Sequence, residues 1–456
     1  MARKKGAVLM TEGSILKKII LFAIPLLIGN LFQQLYNTVD SLVVGNYVSA
    51  QGLAAVGSTG PIVNTLIGLF SGLSSGGTVV ISQYYGAKDR KKLEEAVHTT
   101  VMMVILLSIV FTFLGRWIAP TMLRFMKTPE DVFPLSNTYF SIYFSGISGL
   151  MLYNIGAGIL RAVGDSRRPL YFLLLSSVLN IVLDLVFVLV FKMGIAGVAY
   201  ATIISQYISA ALIFVVLMRT SGEYRVSIKK LRLHLPILKR IVFIGLPAAL
   251  QMAITSFSNI FVQSYINVFG SSAMAGWSAF NKVDQFVMLP MQSISIAATT
   301  FVGQNFGAKK IDRVKKGVKT AVALSVCVTA LLTLVVIVFA RPLISMFNSS
   351  EAVIHYGTLV MYYMGSFMVV NCVGQILAGC LRGMGHSRGS MFVFLGCYVV
   401  FRQVYLFVSS RLTDSFIAVA FAYPAGWIMC SIIMVFYYRH RTGPIFQEIS
   451  QSADAA

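Results

Sequence analysis

Charge is scarce in this sequence, and acidic charge is the scarcest of all. Only 12% of the 456 residues are charged, with 16 Asp and Glu against 37 Lys and Arg. An average soluble protein carries about twice that charged fraction. Here 57% of the residues are hydrophobic and the mean hydropathy is +0.79. The composition excludes an ordinary soluble protein and favours an all-α polytopic membrane protein, because apolar runs of about 20 residues, enough to cross a bilayer, recur along the chain.

Cysteine and histidine are also few, and their placement excludes several chemistries. All five cysteines fall in predicted spans of the second half, so no disulfide framework is indicated. Without clustered histidines they indicate no metal site either. The sequence shows no Ser-His-Asp order, phosphate loop or dinucleotide fingerprint in a suitable setting. We therefore predict a protein that is not an enzyme and that needs no cofactor.

The basic residues are distributed unevenly between the two sides of the predicted membrane. The net charge is +21, and 29 of the 37 Lys and Arg residues fall on one side when the spans are threaded alternately. Basic loops stay in the cytoplasm, so this side is cytoplasmic and contains both termini. The charge thus reports topology, with anionic lipid headgroups as secondary partners. A nucleic-acid partner is not predicted.

Three repeated motifs divide the chain into two copies of one unit. The two occurrences of each motif are 221 or 222 residues apart. "AGILRAVGDSR" at 157–167 returns as "AGCLRGMGHSR" at 378–388 with seven of eleven positions identical, and "QYYGAK" at 83–88 returns as "QNFGAK" at 304–309. The third motif is the pair Pro25 and Pro247. Each copy contains six predicted spans, and an even number gives both copies the same orientation. We predict twelve transmembrane helices in two parallel, pseudo-two-fold six-helix bundles.

The predicted organisation follows from this duplication. The segments are a cytoplasmic N-terminus (1–14), an N-lobe (15–218), a basic cytoplasmic linker (219–238), a C-lobe (239–440) and a cytoplasmic tail (441–456). In the repeated motif, the glycines suit a tight helix exit, and Arg161 and Arg382 suit a helix C-terminus or a lipid phosphate.

Two acids within spans of the first lobe are the main candidates for chemistry, because ionisable groups inside a membrane are costly. Asp40 and Asp184 lie at similar depth, each about six residues before the outer end of its span, and the second lobe has no equivalent pair. Asn180 shares a helical face with Asp184. Two such carboxyls could hold a proton, or could coordinate Na⁺ together with Asn180 and Thr202. The alternative is that Asp40 is a hydrogen-bonded structural acid and Asp184 the partner of a membrane Arg or Lys.

A substrate cavity is predicted from polar residues that stand beside Met and aromatic side chains, which form adaptable apolar surfaces. Ordinary core or lipid-facing packing is the alternative for each. Lys282, Asp284 and Arg402, also inside spans, stay open between function and structure. The candidate cavity residues are Gln33, Tyr36, Asn37, Gln251, Met252, Phe257, Asn259, Lys282, Asp284, Gln285 and Met288.

The doubled six-span unit, the doubled "Q-x-x-G-A-K" and "L-R-x-x-G-x-S-R" and the N-lobe acid pair together resemble the multidrug and toxic compound extrusion (MATE) transporters, over about residues 12–440. The resemblance is to the DinF-like prokaryotic branch, and it implies an N-lobe ion site at Asp40, Asn180, Asp184 and Thr202. It also implies a prokaryotic inner-membrane protein that exports amphipathic, often cationic compounds in exchange for H⁺ or Na⁺. A monomer is expected. The C-lobe acid of the NorM-like branch has no counterpart in "PAALQMAITSFSN".

Two other functions, a flippase and a passive channel, fit the sequence less well than export. A flippase for lipid-linked or other polar metabolites would favour a basic cavity and additional spans, whereas this chain has three intramembrane Asp residues and twelve spans. A passive channel fits less well, because two asymmetric lobes suit rocking between states better than a fixed pore.

Overall fold

The computed structural model describes residues 8–125 and 128–454, and every regular element in those ranges is helical. The first half contains seven α-helices, a π-helical turn at Val186–Val190 that extends α6, and a short 3-10 turn at Ile228–Lys230. The α-helices are α1 (Ile15–Tyr47), α2 (Ala50–Ala87), α3 (Arg90–Phe125), α4 (Phe133–Ser145), α5 (Ile147–Ala162), α6 (Arg167–Leu185) and α7 (Gly194–Arg219).

The second half contains ten α-helices and a second π-helical turn at Gly396–Phe401, which joins α14 to α15. The α-helices are α8 (Leu235–Asn267), α9 (Ser271–Gly307), α10 (Ile311–Val338), α11 (Ala340–Ser345), α12 (Glu351–Gly365), α13 (Met368–Gly383), α14 (Ser387–Leu395), α15 (Arg402–Leu412), α16 (Phe416–Ala420) and α17 (Ala422–Asp454).

Twelve membrane spans result when two bent helix pairs are each taken as one span. Ten helical stretches of the described chain are long and apolar enough to cross a bilayer unbroken. The pairs α4–α5 and α12–α13 pass the same test together but bend by 46° and 53°. The prediction of an all-α membrane protein with twelve spans is therefore confirmed. The bends were not predicted, and neither break contains a proline.

The duplication is reproduced in the helix boundaries. α3 and α10 begin 221 residues apart, and both ends of α5 and α13 are separated by the same 221 residues. The bend before α5 thus recurs before α13. Because the offset of the repeated motifs equals the offset of the helix boundaries, the two copies have retained the same local architecture.

The repeated motifs end helices in the same way in both copies. Lys88 and Lys309, which close "QYYGAK" and "QNFGAK", have left-handed φ angles of 56° and 57°, and Gly164 and Gly385 both have a φ of 89°. The N–H of each of these residues bonds to the carbonyl oxygen three residues earlier, at 2.8–3.2 Å. The next N–H bonds to the carbonyl five residues before it, which is the Schellman arrangement. The chain was predicted to leave the helix in a tight turn at these glycines, and at Gly164 and Gly385 it does so because both adopt the left-handed conformation.

The chain divides into two compact units, and the boundary falls at the paired prolines. The first unit consists mainly of Pro25–Leu246, and the second of Met10–Ile24 together with the chain from Pro247 onward. The early part of α1 therefore belongs to the second unit, and the early part of α8 belongs to the first. The lobe limits 15–218 and 239–440 stay a prediction.

Within the first unit, α2 and the early part of α8 pack with their backbones in close approach. A Cβ atom added at Gly76 would lie 2.3 Å from the carbonyl oxygen of Ile241 and 2.8 Å from the Cα of Gly245. Small residues allow this approach, and dispersion contacts between helices then stabilise it without a hydrophobic driving force.

Within the second unit, the segment before α1 is held by polar side chains. The N–H of Met10 donates to Oε1 of Gln304 at 2.8 Å, and Lys310 Nζ donates to the carbonyl of Thr11 at 3.1 Å. Arg313 donates to the carbonyls of Met10 and Gly13 at 3.1 and 3.0 Å. Residues 10–13 are thus fixed by their backbone, with little dependence on their own side chains.

Candidate functional site

The two predicted acids of the first unit meet. Asp40 on α1 and Asp184 on α6 approach within hydrogen-bonding range of each other's carboxyl groups. The Asp184 side chain is fully buried, and no hydrogen-bond donor reaches either of its oxygens or Oδ1 of Asp40. Because two acceptors face each other without a donor, a shared proton or a cation is the chemistry that this geometry accommodates.

Two tyrosines interact with the acid pair and a third packs against one of them, and sequence reasoning found only Tyr36. The buried Tyr36 lies within hydrogen-bonding range of Gln33 and within electrostatic range of Asp40. Tyr139 on α4 interacts electrostatically with both acids, and its ring stacks on Tyr143 at 6.2 Å. The i, i+4 spacing of Tyr139 and Tyr143 was the available signal, and it predicts a polar stripe on that helix.

Asn180 and Thr202, the other two residues of the predicted ion site, differ in whether their polar atoms are free to bind a cation. Asn180 is 2% exposed, and neither Oδ1 nor Nδ2 of its amide has a partner. The hydroxyl of Thr202 instead donates to the carbonyl of Val198 in its own helix at 3.0 Å, which leaves only its lone pairs for a cation. No hydrogen bond joins Thr202 to the acids within the described chain. The role of these four residues stays a prediction.

No basic side chain neutralises the acid pair. Within residues 8–125 and 128–454, neither Asp40 nor Asp184 forms an ion pair with Lys, Arg or His. The alternative in which Asp184 is the partner of a membrane Arg or Lys therefore finds no support here. Since an uncompensated charge inside a membrane costs several kcal/mol, the pair requires a proton or a cation from outside the chain.

A second polar cluster, which we call the Arg402 cluster, lies in the second unit. It consists of Ser258 and Asn259 on α8, Arg402 on α15 and Tyr423 on α17. Arg402 Nη2 donates to Oγ of Ser258 and Oδ1 of Asn259, both at 2.8 Å, and its guanidinium lies 4.7 Å from the ring centre of Tyr423. Asp284 interacts electrostatically with the same tyrosine. Of the predicted cavity residues, Asn259 and Asp284 thus converge on one ring.

The other predicted cavity residues do not join the Arg402 cluster through a hydrogen bond or ring contact within the described chain. Met288 accepts a hydrogen bond at its sulfur from Asn371 at 3.9 Å, and Gln251 is buried. The remaining members of the set, all exposed, are Asn37, Met252, Phe257, Lys282 and Gln285. A substrate cavity formed by residues of both halves stays a prediction.

Comparison with known proteins identifies this architecture. The MatE family model matches residues 25–186 and again residues 247–408, so each copy matches the model once. This chain belongs to the MATE family. The match begins at Pro25 in one copy and at Pro247 in the other, in agreement with the duplication deduced above.

Relatives and solved structures agree with this assignment. The probable multidrug resistance proteins YoeA and YpnP of Bacillus subtilis are 30% and 32% identical to the chain, over 94% and 82% of its length and 94% and 84% of theirs. A MOP superfamily transporter from Pyrococcus furiosus and a MATE structure in the straight conformation superpose with TM-scores of 0.91 and 0.90 at 22% and 23% identity. They cover 99% and 98% of this chain, and are themselves covered over 100% and 99%. The protein is therefore a multi-pass membrane transporter of the MATE multidrug efflux family.

Proposed function

We propose that this MATE transporter exports amphipathic, predominantly cationic organic compounds by antiport with H⁺ or Na⁺, and that Asp40 and Asp184 bind the coupling ion with Asn180 and Thr202. The observation that carries the proposal is the approach of the buried Asp184 carboxyl to the half-buried Asp40 carboxyl. Within the described residues, no donor reaches Oδ1 of Asp40 or either oxygen of Asp184, and no basic side chain pairs with either acid. The ion would enter from outside, where both acids have their nearer membrane surface.

Coupling follows if the ion and the substrate favour different states of the transporter. An unneutralised pair in an apolar interior costs several kcal/mol, and a free-energy difference of about 3 kcal/mol already shifts a two-state equilibrium more than a hundredfold. Binding of H⁺ or Na⁺ would remove this cost and thereby bias the protein toward the state that releases substrate. The binding of one ligand then opposes that of the other, as antiport requires.

The same proposal includes the setting in the cell. The protein would act as a monomer, because one chain carries both copies of the repeat. It would span the plasma membrane of a prokaryote with both termini in the cytoplasm, as the distribution of Lys and Arg favours.

Proteoliposomes test the proposal directly. The purified protein is reconstituted, and uptake of the fluorescent cation rhodamine 6G is followed while a pH gradient and a Na⁺ gradient are imposed separately. We expect accumulation above the equilibrium level with one of the two gradients and its loss when an ionophore collapses that gradient. Uptake that is equal with and without either gradient would refute antiport and favour a passive route.

A further inference from the structure

Arg402 is a positive charge in the membrane interior that the chain leaves uncompensated. Its side chain is 2% exposed, and it begins α15 in the middle of the span Ser387–Leu412. Throughout the described part of the chain, no carboxylate forms an ion pair with it. Burying a guanidinium without a counter-charge is strongly unfavourable, so a residue of this kind marks a functional site unless the fold satisfies it.

The fold satisfies the guanidinium only in part. Its two hydrogen bonds to described residues both use Nη2, and both acceptors, the hydroxyl of Ser258 and the amide of Asn259, are neutral. The buried Nε–H has no acceptor at all. A donor left unpaired in an apolar interior is unfavourable, and more so when the group is charged. The site therefore offers the free Nε–H, together with two Nη2 hydrogens that are engaged only by neutral oxygens.

The local structure holds the guanidinium in place. The π-helical turn Gly396–Phe401 directly precedes Arg402, and such insertions are frequent at functional sites. The ring of Tyr423 packs against the guanidinium and lies 5.5 Å from the ring of Trp277. Tyr423 also donates from its hydroxyl to Asn259 at 3.4 Å. The charge is thus flanked by aromatic surface.

We propose that the Arg402 cluster binds a carboxylate group of the transported compound. On binding, the carboxylate would replace the amide oxygen of Asn259, whose side chain is exposed, and would also accept from the free Nε–H of Arg402. A charge-assisted bond is about twice as strong as the neutral bond that it replaces. The inference rests on the proposed export function, and it assigns to Arg402 the recognition of a carboxylate on the exported compound.

A carboxylate fits this site better than other anions. Its planar fork matches the donor geometry of a guanidinium, and its single negative charge balances the single positive charge. A phosphate would bring an excess negative charge into the apolar interior. The rings of Tyr423 and Trp277 suit an aromatic group attached to the carboxylate.

A matched pair of dyes isolates the carboxylate from the rest of the ligand. Rhodamine 19 carries a free carboxylate, and rhodamine 6G is its ethyl ester with the same cationic ring system. Binding of each dye to the purified full-length protein is measured by fluorescence polarisation. For the wild type we expect rhodamine 19 to bind at least as tightly as the ester. For Arg402→Gln we expect rhodamine 19 to bind about 10- to 100-fold more weakly, the value of a charge-assisted hydrogen bond, while the ester changes less than about threefold.

Two further variants sharpen the test. Asn259→Asp supplies a carboxylate from the chain itself, so it should raise the melting temperature and abolish the preference for rhodamine 19. Arg411→Gln is the control, because Arg411 lies on the same helix but is exposed and contacts only the ring of Phe407 among the described residues. It should bind both dyes as the wild type does.

The outcomes separate this proposal from the export function. Equal weakening of both dyes in Arg402→Gln, or unchanged binding of rhodamine 19, would overturn the carboxylate site. If Arg402→Gln does not fold, benzoate is titrated against the wild type, and it must displace rhodamine 19 but not rhodamine 6G. Gradient-driven transport of the ester alone would leave the export function intact while overturning the carboxylate site. Failure to transport either dye would count against the export function.

Discussion

At the scale of single residues, the acid pair makes the sharpest prediction. Asp40→Asn keeps the size of the side chain but removes its ability to bind H⁺ or to carry the charge that attracts Na⁺. We expect this variant to fold and to bind rhodamine 6G, yet to lose gradient-driven uptake in proteoliposomes. Asp184→Asn should behave alike. The double variant should be little worse than either single one, because two groups that share one ion act as a unit.

Asp284→Asn is the control for these substitutions. Asp284 also lies inside a span, but it belongs to the second unit, and no second carboxyl of the described residues acts on it. Its replacement should reduce gradient-driven uptake only mildly at matched protein levels. Wild-type uptake by both Asp40→Asn and Asp184→Asn would move the ion site elsewhere, with Lys282 and Asp284 as the next candidates.

The meeting of Asp40 and Asp184 was predictable, because the cost of charge in a membrane reduces the candidates to a few and matched depth pairs them. Tyr139 was not predicted, since tyrosines at helical spacing in an apolar span also occur in ordinary cores. The environment of Arg402 was beyond sequence reasoning for a different reason. Its partners come from α8 and α17, and no spacing within one helix specifies contacts between helices that are distant in sequence.

At the scale of helices, the close approach of α2 and α8 predicts a strong effect of one methyl group. In Gly76→Ala, the new Cβ would overlap the Ile241 carbonyl, and rigid backbone cannot yield as a side-chain end does. We expect the free energy of unfolding to fall by about 1–3 kcal/mol, as in other overpacked interiors. Thermal unfolding of the purified protein in detergent measures this as a lower melting temperature.

Gly57→Ala is a matched control on the same helix. No atom of the described residues lies within 4 Å of a Cβ built at Gly57, so alanine fits there without overlap and improves the helix propensity. The melting temperature should stay the same or rise slightly. Equal losses in the two variants would mean that the helix backbone, and not its packing against α8, determines the effect.

The bends between α4 and α5 and between α12 and α13 could not be predicted from the sequence of the helices. A proline inside a helix is the usual sequence signal for a bend, and Pro25 and Pro247 do lie inside helices. The largest breaks occur instead at Gly146 and at Ser366–Phe367, where no proline is present. Gly146 allows the side chain of Ile203 to pack where a Cβ would otherwise lie, so tertiary contact, and not backbone chemistry alone, favours a break there.

At the scale of the whole molecule, the basic residues predict which loops are reachable from outside. In a variant that lacks the five native cysteines, Met346→Cys and Ile228→Cys place single thiols at positions that are 79% and 72% exposed. A membrane-impermeant maleimide applied to intact cells should label residue 346 and spare residue 228 in the basic linker. Both should be labelled after permeabilisation. The reverse pattern would contradict cytoplasmic termini.

The twelve spans and their duplication were readable because hydropathy and repeated motifs are local properties of the chain. The composition of the two compact units was not readable, since it depends on which helices pack together. Met10–Ile24 lies with the second unit and the start of α8 with the first, although each segment is continuous with a helix of the other unit. Hydrogen bonds to Gln304, Asn305, Lys310 and Arg313 hold residues 10–13 there, and these contacts cannot be read from the sequence.

The placement of residues 10–24 in the second unit imposes an order of events during synthesis. Residues 10–24 leave the ribosome well before Gln304, Lys310 and Arg313, which hold the beginning of this segment and lie almost 300 residues later in the chain. At about 5–20 residues per second, the segment waits for roughly 15–60 s without these native partners. It therefore reaches its native place only after most of the second half has been translated.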